Sequence, residues 1–291
     1  MGNIWLTDHV VPNVHTVKTT SPRPMSLQIR NNVRLAGDGP ATLVFVHGYG
    51  CDQTMWRSLA PEFASRYRTL VFDLVGSGDS DRFAYDRDKY GSLHGYAADL
   101  LELVDAFVTG PAIVVGHSIG ATIGMLATIA APERFAGQVM VGPSPRFMND
   151  GDYVGGFSPA EMDQLLLLMD NHFSDWADYL APAIMGAPDR PELGRALARS
   201  FCRNDPAIAR HFARTTFLSD HRADVPKARV PALVLQCSDD LIVPRGVGDW
   251  LVSRLPKATL HVIDNVGHCP HISAPDASAR AIEAFVEGAL A

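Results

Sequence analysis

Positive charge is in short supply. Across 291 residues, 25 Lys and Arg face 32 Asp and Glu, a formal net charge of −7. With no Lys/Arg-rich run, that balance excludes the electrostatic footprint of a nucleic-acid or acidic-membrane binder. Cysteine is scarce as well. Cys51, Cys202, Cys237 and Cys269 are widely scattered, with neither a C-x-x-C nor a zinc-ligand spacing. They read as free thiols in a reducing cytoplasm, and no metal site is expected. No apolar run approaches the length needed to cross a bilayer. Residues 1–25 carry only Lys18 and Arg23 as cations and lack the apolar core of a signal peptide. Met1-Gly2 hints at myristoylation, but Leu6 stands where that signal needs Ser or Thr. The expectation is a soluble cytoplasmic protein.

Apolar residues, by contrast, make up 47% of the chain, ample for a sizeable core, and nothing resembling an interdomain linker divides it. Residues 1–25, with Pro12, Pro22 and Pro24, read as an N-terminal extension. A short hairpin is expected next, Leu27–Arg30 and Val33–Leu35 around Asn31-Asn32. Then come Val/Leu/Ile-rich runs alternating with helical periodicity, the pattern of an α/β fold with a mainly parallel sheet. The predicted strands are Thr42–Val46, Thr69–Phe72, Ala112–Val115, Gln138–Val141, Ala232–Cys237 and Thr259–Ile263. Helices are predicted over Met55–Arg66, Leu93–Val108, Ile119–Ala131, Val247–Leu255 and Asp276–Glu287. From Ser144 to about Asp224 only helix signals occur, among them the capping box Ser158-Pro159-Ala160-Glu161 and the start signal Asp205-Pro206. The core is thus expected over 26–143 and 225–291. The inserted 144–224 would form a lid over the C-terminal ends of the strands, where such sheets bind ligands.

The most informative pentapeptide is Gly116-His117-Ser118-Ile119-Gly120. It lies between a predicted strand and a small-residue helix, the setting in which a G-x-S-x-G serine is held exposed on a strained turn. A serine hydroxyl needs a base to become nucleophilic. His268, in the polar loop after the last predicted strand, is that base, ahead of His271. A carboxylate must then hold the imidazole in one tautomer, and Asp239 and Asp240 both follow the Ala232–Cys237 strand. The developing oxyanion needs preorganised N–H donors. The amide of Ile119 and that of Tyr49, in His47-Gly48-Tyr49-Gly50, are the candidates. His47 and His117 read as hydrogen-bonding supports for these loops. Gly76-Ser77-Gly78 fails as a dinucleotide loop, because Asp81 occupies the third glycine position. The stripe Met162, Leu165, Leu166, Met169 and Phe173 reads as packing rather than pocket.

Taken together, His47–Gln53, Val75–Gly78, Gly116–Gly120, Val141–Pro145, Gly155–Phe157, Ser219–Arg222 and Gly267–His271 resemble the RsbQ-like family. These are bacterial α/β-hydrolases of the energy-stress response, similar at greater distance to plant strigolactone and karrikin receptors. The likeness runs from about Ser26 to the C-terminus. It implies an α/β-hydrolase fold with helices on both faces of the sheet and a four-helix lid. It also chooses Asp240, four residues before Pro244, as the acid of a Ser118–Asp240–His268 triad, with Tyr49 and Ile119 as oxyanion amides. At Gly120 the plant receptors differ, which sets this chain with the bacterial branch. The expected activity is hydrolysis of a small, largely apolar ester or lactone through an acyl-enzyme, with no cofactor and no metal. The resemblance also implies an alternative, a ligand sensor that activates a stress-response protein phosphatase through its lid.

Overall fold

The computed structural model describes residues 24–291; the extension expected over 1–25 lies almost wholly outside them. The chain runs α1 (Pro24–Arg30), β1 (Arg34–Ala36), β2 (Thr42–Val46), α2 (Ala60–Phe63), β3 (Arg68–Val71), α3 (Leu93–Phe107), β4 (Ala112–His117), α4 (Ile119–Ala130) and β5 (Phe135–Val141). Four helices follow without a strand between them: α5 (Pro159–Asn171), α6 (Phe173–Met185), α7 (Pro191–Arg203) and α8 (Pro206–Phe217). The core then resumes with β6 (Ala232–Asp239), α9 (Arg245–Val252), β7 (Ala258–Val266), α10 (Pro270–Ser273) and α11 (Pro275–Leu290). No helix among the described residues is long and apolar enough to cross a membrane.

The seven strands form one sheet in the order β1-β3-β2-β4-β5-β6-β7, parallel except for β1. Every residue of β2 and β4 is buried. This explains their unbroken apolar runs, since helices cover both faces of a parallel sheet. From β2 the chain steps outward to β3 and then returns to the other side of β2 as β4. The order reverses between β2 and β4, so the loops leaving these two strands part and leave a crevice at their C-terminal ends. Those loops are His47–Gly50 and the turn at Ser118.

Two expectations are corrected. The segment Leu27–Arg30 is helix, not the first strand of a hairpin. Leu27 is buried, and its carbonyl accepts the Asn31 N–H. Asn31-Asn32 therefore closes a helix, with Asn32 at φ 47°, and β1 pairs antiparallel with β3 instead. Two apolar residues in a four-residue segment cannot fix a period, and here burial of Leu27 against the core decides. The helix expected over Met55–Arg66 is broken into a 3₁₀ turn at Gln53–Trp56 and the one-turn α2. The Asp52 carboxylate accepts the Thr54 N–H and tightens the first turn. Pro61, which cannot donate inside a helix, sits at the start of the second.

Within the insertion, Ser158 and Glu161 form both halves of the capping box that starts α5, and Asp205 accepts two backbone N–H groups at the start of α8. Helices α6 and α7 touch at Gly194, where an added Cβ would come within 3.0 Å of Pro182 Cα. Helix α6 ends at Gly186 in the left-handed conformation that glycine tolerates, φ 62°.

Candidate active site

Ser118 stands between the last residue of β4 and the first of α4 with φ 53° and ψ −121°. For a residue with a Cβ this conformation is strained by about 1–3 kcal/mol. The surrounding packing enforces it. A Cβ on Gly116 would meet Gly120 O at 2.4 Å, and one on Gly120 would meet the carbonyls of Val46 and His47 at 2.5 Å. The Ser118 N–H donates to Val141 O of β5 at 2.8 Å. Ile119 opens α4, so its N–H has no carbonyl one turn back to bond. Tyr49 follows β2 on the neighbouring side of the crevice. Its hydroxyl donates to Ala209 O of α8 at 3.1 Å.

His268 follows β7 and places Nδ1 2.7 Å from Asp240 Oδ2, with both residues buried. The other carboxylate oxygen accepts the N–H groups of Ile242 and Val243 at 2.8 and 3.1 Å. Asp240 accepts hydrogen bonds, so the proton of the neutral imidazole is assigned to Nδ1 and Nε2 is left as the basic nitrogen. Nε2 is buried and forms no hydrogen bond to Ser118 or any other group among the described residues. Asp239 is exposed at the end of β6 and meets the histidine loop only through its backbone, where its carbonyl accepts the Gly267 N–H at 2.8 Å. The geometry therefore brings Asp240, not Asp239, to the ring.

Behind the pair lie three more imidazoles. His117 Nε2 donates to His268 O at 2.9 Å, while its Nδ1 would be 2.6 Å from a Cβ on Gly48. One side chain from the Ser118 turn is thus wedged between the loop after β2 and the loop carrying His268. His47 accepts the Leu74 N–H at Nε2 and donates from Nδ1 to Gly48 O. Both make loop contacts of the kind their positions suggested. His271, the rival for the base, is fully buried against Trp56 and His117. Burial pushes its pKa down to about 3, with the neighbouring His268 adding to the shift. Burial likewise lowers His117, well below the ordinary histidine value, and His47.

Ser118, Tyr49 and His268 line a cavity whose empty space, including its opening to solvent, is about 530 Å³. The four inserted helices supply its far wall through Leu165, Trp176, Leu180, Phe201 and Phe217 among others. Of the aromatic residues in the insertion, Phe157, Trp176, Phe201 and Phe217 face the cavity, while Phe147 and Phe212 pack behind it. Leu165 is the one member of the α5 stripe that reaches it; Met162, Leu166 and Met169 are core. Two thiols also line the wall, Cys51 and Cys269. Burial pushes both pKa values upward, so neither offers a thiolate to compete with the serine.

One contact was invisible in the sequence. The His268 N–H donates to Ile184 O in the last turn of α6, at 2.7 Å. It joins two backbones 84 positions apart in the sequence, so no residue type announces it.

The chain has known relatives. The alpha/beta hydrolase family matches residues 43–281. The chain belongs to that family. Within this hydrolase family, the strigolactone esterase RMS3 of Pisum sativum is 37% identical over 254 residues, covering 87% of this chain and 95% of its own. The karrikin insensitive 2 receptor CA of Petunia hybrida is 35% identical over 247 residues, covering 84% and 92%. Among solved structures, a hydrolase from Oleispira antarctica matches with a TM-score of 0.89 and 36% identity, over 92% of this chain and 98% of that one.

Proposed function

We propose that this alpha/beta hydrolase is a serine esterase for a small, largely apolar ester or lactone, working through an acyl-enzyme. The buried Asp240–His268 pair, with His268 and the strained Ser118 lining one apolar cavity, is the observation that carries this reading. In the proposed cycle Ser118 Oγ attacks the carbonyl carbon as its proton passes to His268 Nε2. The backbone N–H groups of Tyr49 and Ile119 receive the oxyanion, and the Asp240 carboxylate stabilises the imidazolium. Collapse of the tetrahedral intermediate breaks the ester C–O bond, and His268 gives its proton to the leaving alkoxide. In a lactone that alcohol stays tethered to the acyl group. Water then attacks the acyl-enzyme with His268 again as base, which releases the acid and regenerates Ser118. The unpaired Nε2 suits a base whose bond to the serine tightens only when substrate is bound.

Ser118→Ala should lower kcat for short-chain aryl esters by several orders of magnitude without unfolding the protein, and a fluorophosphonate should label the wild type at Ser118 alone. Retained turnover in the variant, or labelling at a different serine, sinks the assignment.

A second reading has its own support. The similarity to a karrikin insensitive receptor and the exposed apolar side chains on the insertion, Leu167 and Tyr179, favour a ligand sensor. In that case the four helices act as a lid that offers a surface to a protein partner, a stress-response phosphatase under the RsbQ-like resemblance. Leu167→Glu and Tyr179→Glu should then weaken retention of that phosphatase while ester turnover is unchanged. Turnover at kcat/KM of about 10⁴ M⁻¹s⁻¹ or more with no phosphatase retained removes the sensor reading.

A further inference from the structure

Away from the cavity, three metal-capable side chains from distant parts of the chain converge. His94, in the first turn of α3, meets His221 and Asp224, which follow α8 at the end of the insertion. One donor atom from each lies within 4.8 Å of the other two, and the two imidazole rings are 5.8 Å apart, edge to face. We propose that His94, His221 and Asp224 form a site for one divalent transition-metal ion, zinc in preference to magnesium, at the root of the four-helix insertion.

Three features of the chemistry and setting support it. Two imidazoles and a carboxylate are donors of the kind zinc and nickel take, whereas magnesium favours an all-oxygen shell. His221 Nδ1 and Asp224 Oδ2 already lie 2.9 Å apart, and a parting of about half an ångström would bring them to the spacing of two ligand atoms about 2.1 Å from one tetrahedral ion. With the ion on Nδ1, the neutral His221 ring would carry its proton on Nε2 instead. His94 has an exposed side chain free to close the remaining gap. Water would fill the other coordination positions.

The platform is also rigid where it must be. His221 is buried, its N–H donates to Pro145 O at 2.8 Å, and its own carbonyl accepts the Asp224 N–H at 3.0 Å. The segment leading into the insertion and the segment leaving it are therefore already tied at His221. An ion shared with His94 would fasten that knot to core helix α3. One group opposes binding: the Lys227 ammonium, 2.8 Å from the second oxygen of Asp224. Arg222 is engaged by Asp220 and Asp150.

The test is calorimetric titration of chelator-stripped, untagged full-length protein with zinc chloride, alongside thermal unfolding with and without the ion. One zinc should bind per chain and raise the unfolding midpoint, and magnesium should do neither. His94→Ala and His221→Ala should each weaken zinc binding at least tenfold, and Lys227→Met should tighten it. Ester turnover should be unchanged in all three variants, since none of these residues reaches the cavity. His94→Ala is the deciding variant, because its exposed side chain can be removed without disturbing the core. Absence of a one-to-one isotherm, or binding that survives His94→Ala because the ion sits elsewhere, overturns the proposal.

Discussion

At the scale of single residues, two adjacent carboxylates compete for one imidazole ring, and Asp240 Oδ2 is the oxygen that reaches it, 2.7 Å from His268 Nδ1. Asp239 and Asp240 are equivalent by composition. The ladder between β6 and β7 slips in register between Cys237 and Asp239, and such an irregularity re-aims the side chains beyond it. Only past that slip does Asp240 turn toward the ring, which sequence periodicity could not reveal. Asp240→Asn should therefore reduce kcat by about 10³–10⁴-fold, because the amide stabilises the wrong imidazole tautomer, whereas Asp239→Asn should change it less than about threefold. Comparable losses in steady-state assays of the two variants would mean that the ring is held by something else. The buried histidines set a second expectation. His47, His117 and His271 are held neutral in the folded protein, while in the unfolded chain each takes up a proton below about pH 6.5. The unfolded state then binds more protons, so stability is full above that pH and falls as the pH drops, toward about 3 in the case of His271. The slope approaches about 1.4 kcal/mol per pH unit for each histidine. Urea midpoints measured from pH 7.5 to 4.5 should fall accordingly, and a midpoint constant over that range would contradict the assigned neutrality.

At the scale of elements, long periodic segments came through and short ones did not. Helix α3 was legible because its apolar positions recur over fifteen residues. The Leu27–Arg30 and Met55–Arg66 segments were misread because single contacts, the burial of Leu27 and the Asp52 cap, override weak local preference. Side-chain size matters most where two elements nearly touch, as α6 and α7 do at Gly194. Gly194→Val would drive methyl groups into Pro182, and overpacking of this kind costs about 1–3 kcal/mol. Because Trp176 of α6 and Phe201 of α7 both face the cavity, the variant should raise KM more than it lowers kcat, with a lower thermal midpoint. An unchanged KM alongside a lowered midpoint would show that the cavity wall absorbs the strain.

At the scale of the whole molecule, the parallel sheet could be read from its buried strands, and the reversal between β2 and β4 locates the crevice. The cavity itself could not be read, because its wall is assembled from side chains of all four inserted helices and from four core loops. Nor could the backbone bond from His268 to Ile184, and that bond limits how the molecule could be re-engineered. An insertion that supplies only a cavity wall could be exchanged for another to change substrate range, as a tool head is changed on a fixed handle. Here the last turn of α6 also braces the base. Residues facing the cavity from α5, α7 and the first half of α6 should accept randomisation and yield altered ester preferences. Chimaeras whose junction falls within Ile184–Gly186 should lose turnover on every ester tested, and grafts that keep those three residues in place should recover it. The freedom to diversify this site ends one hydrogen bond short of the histidine.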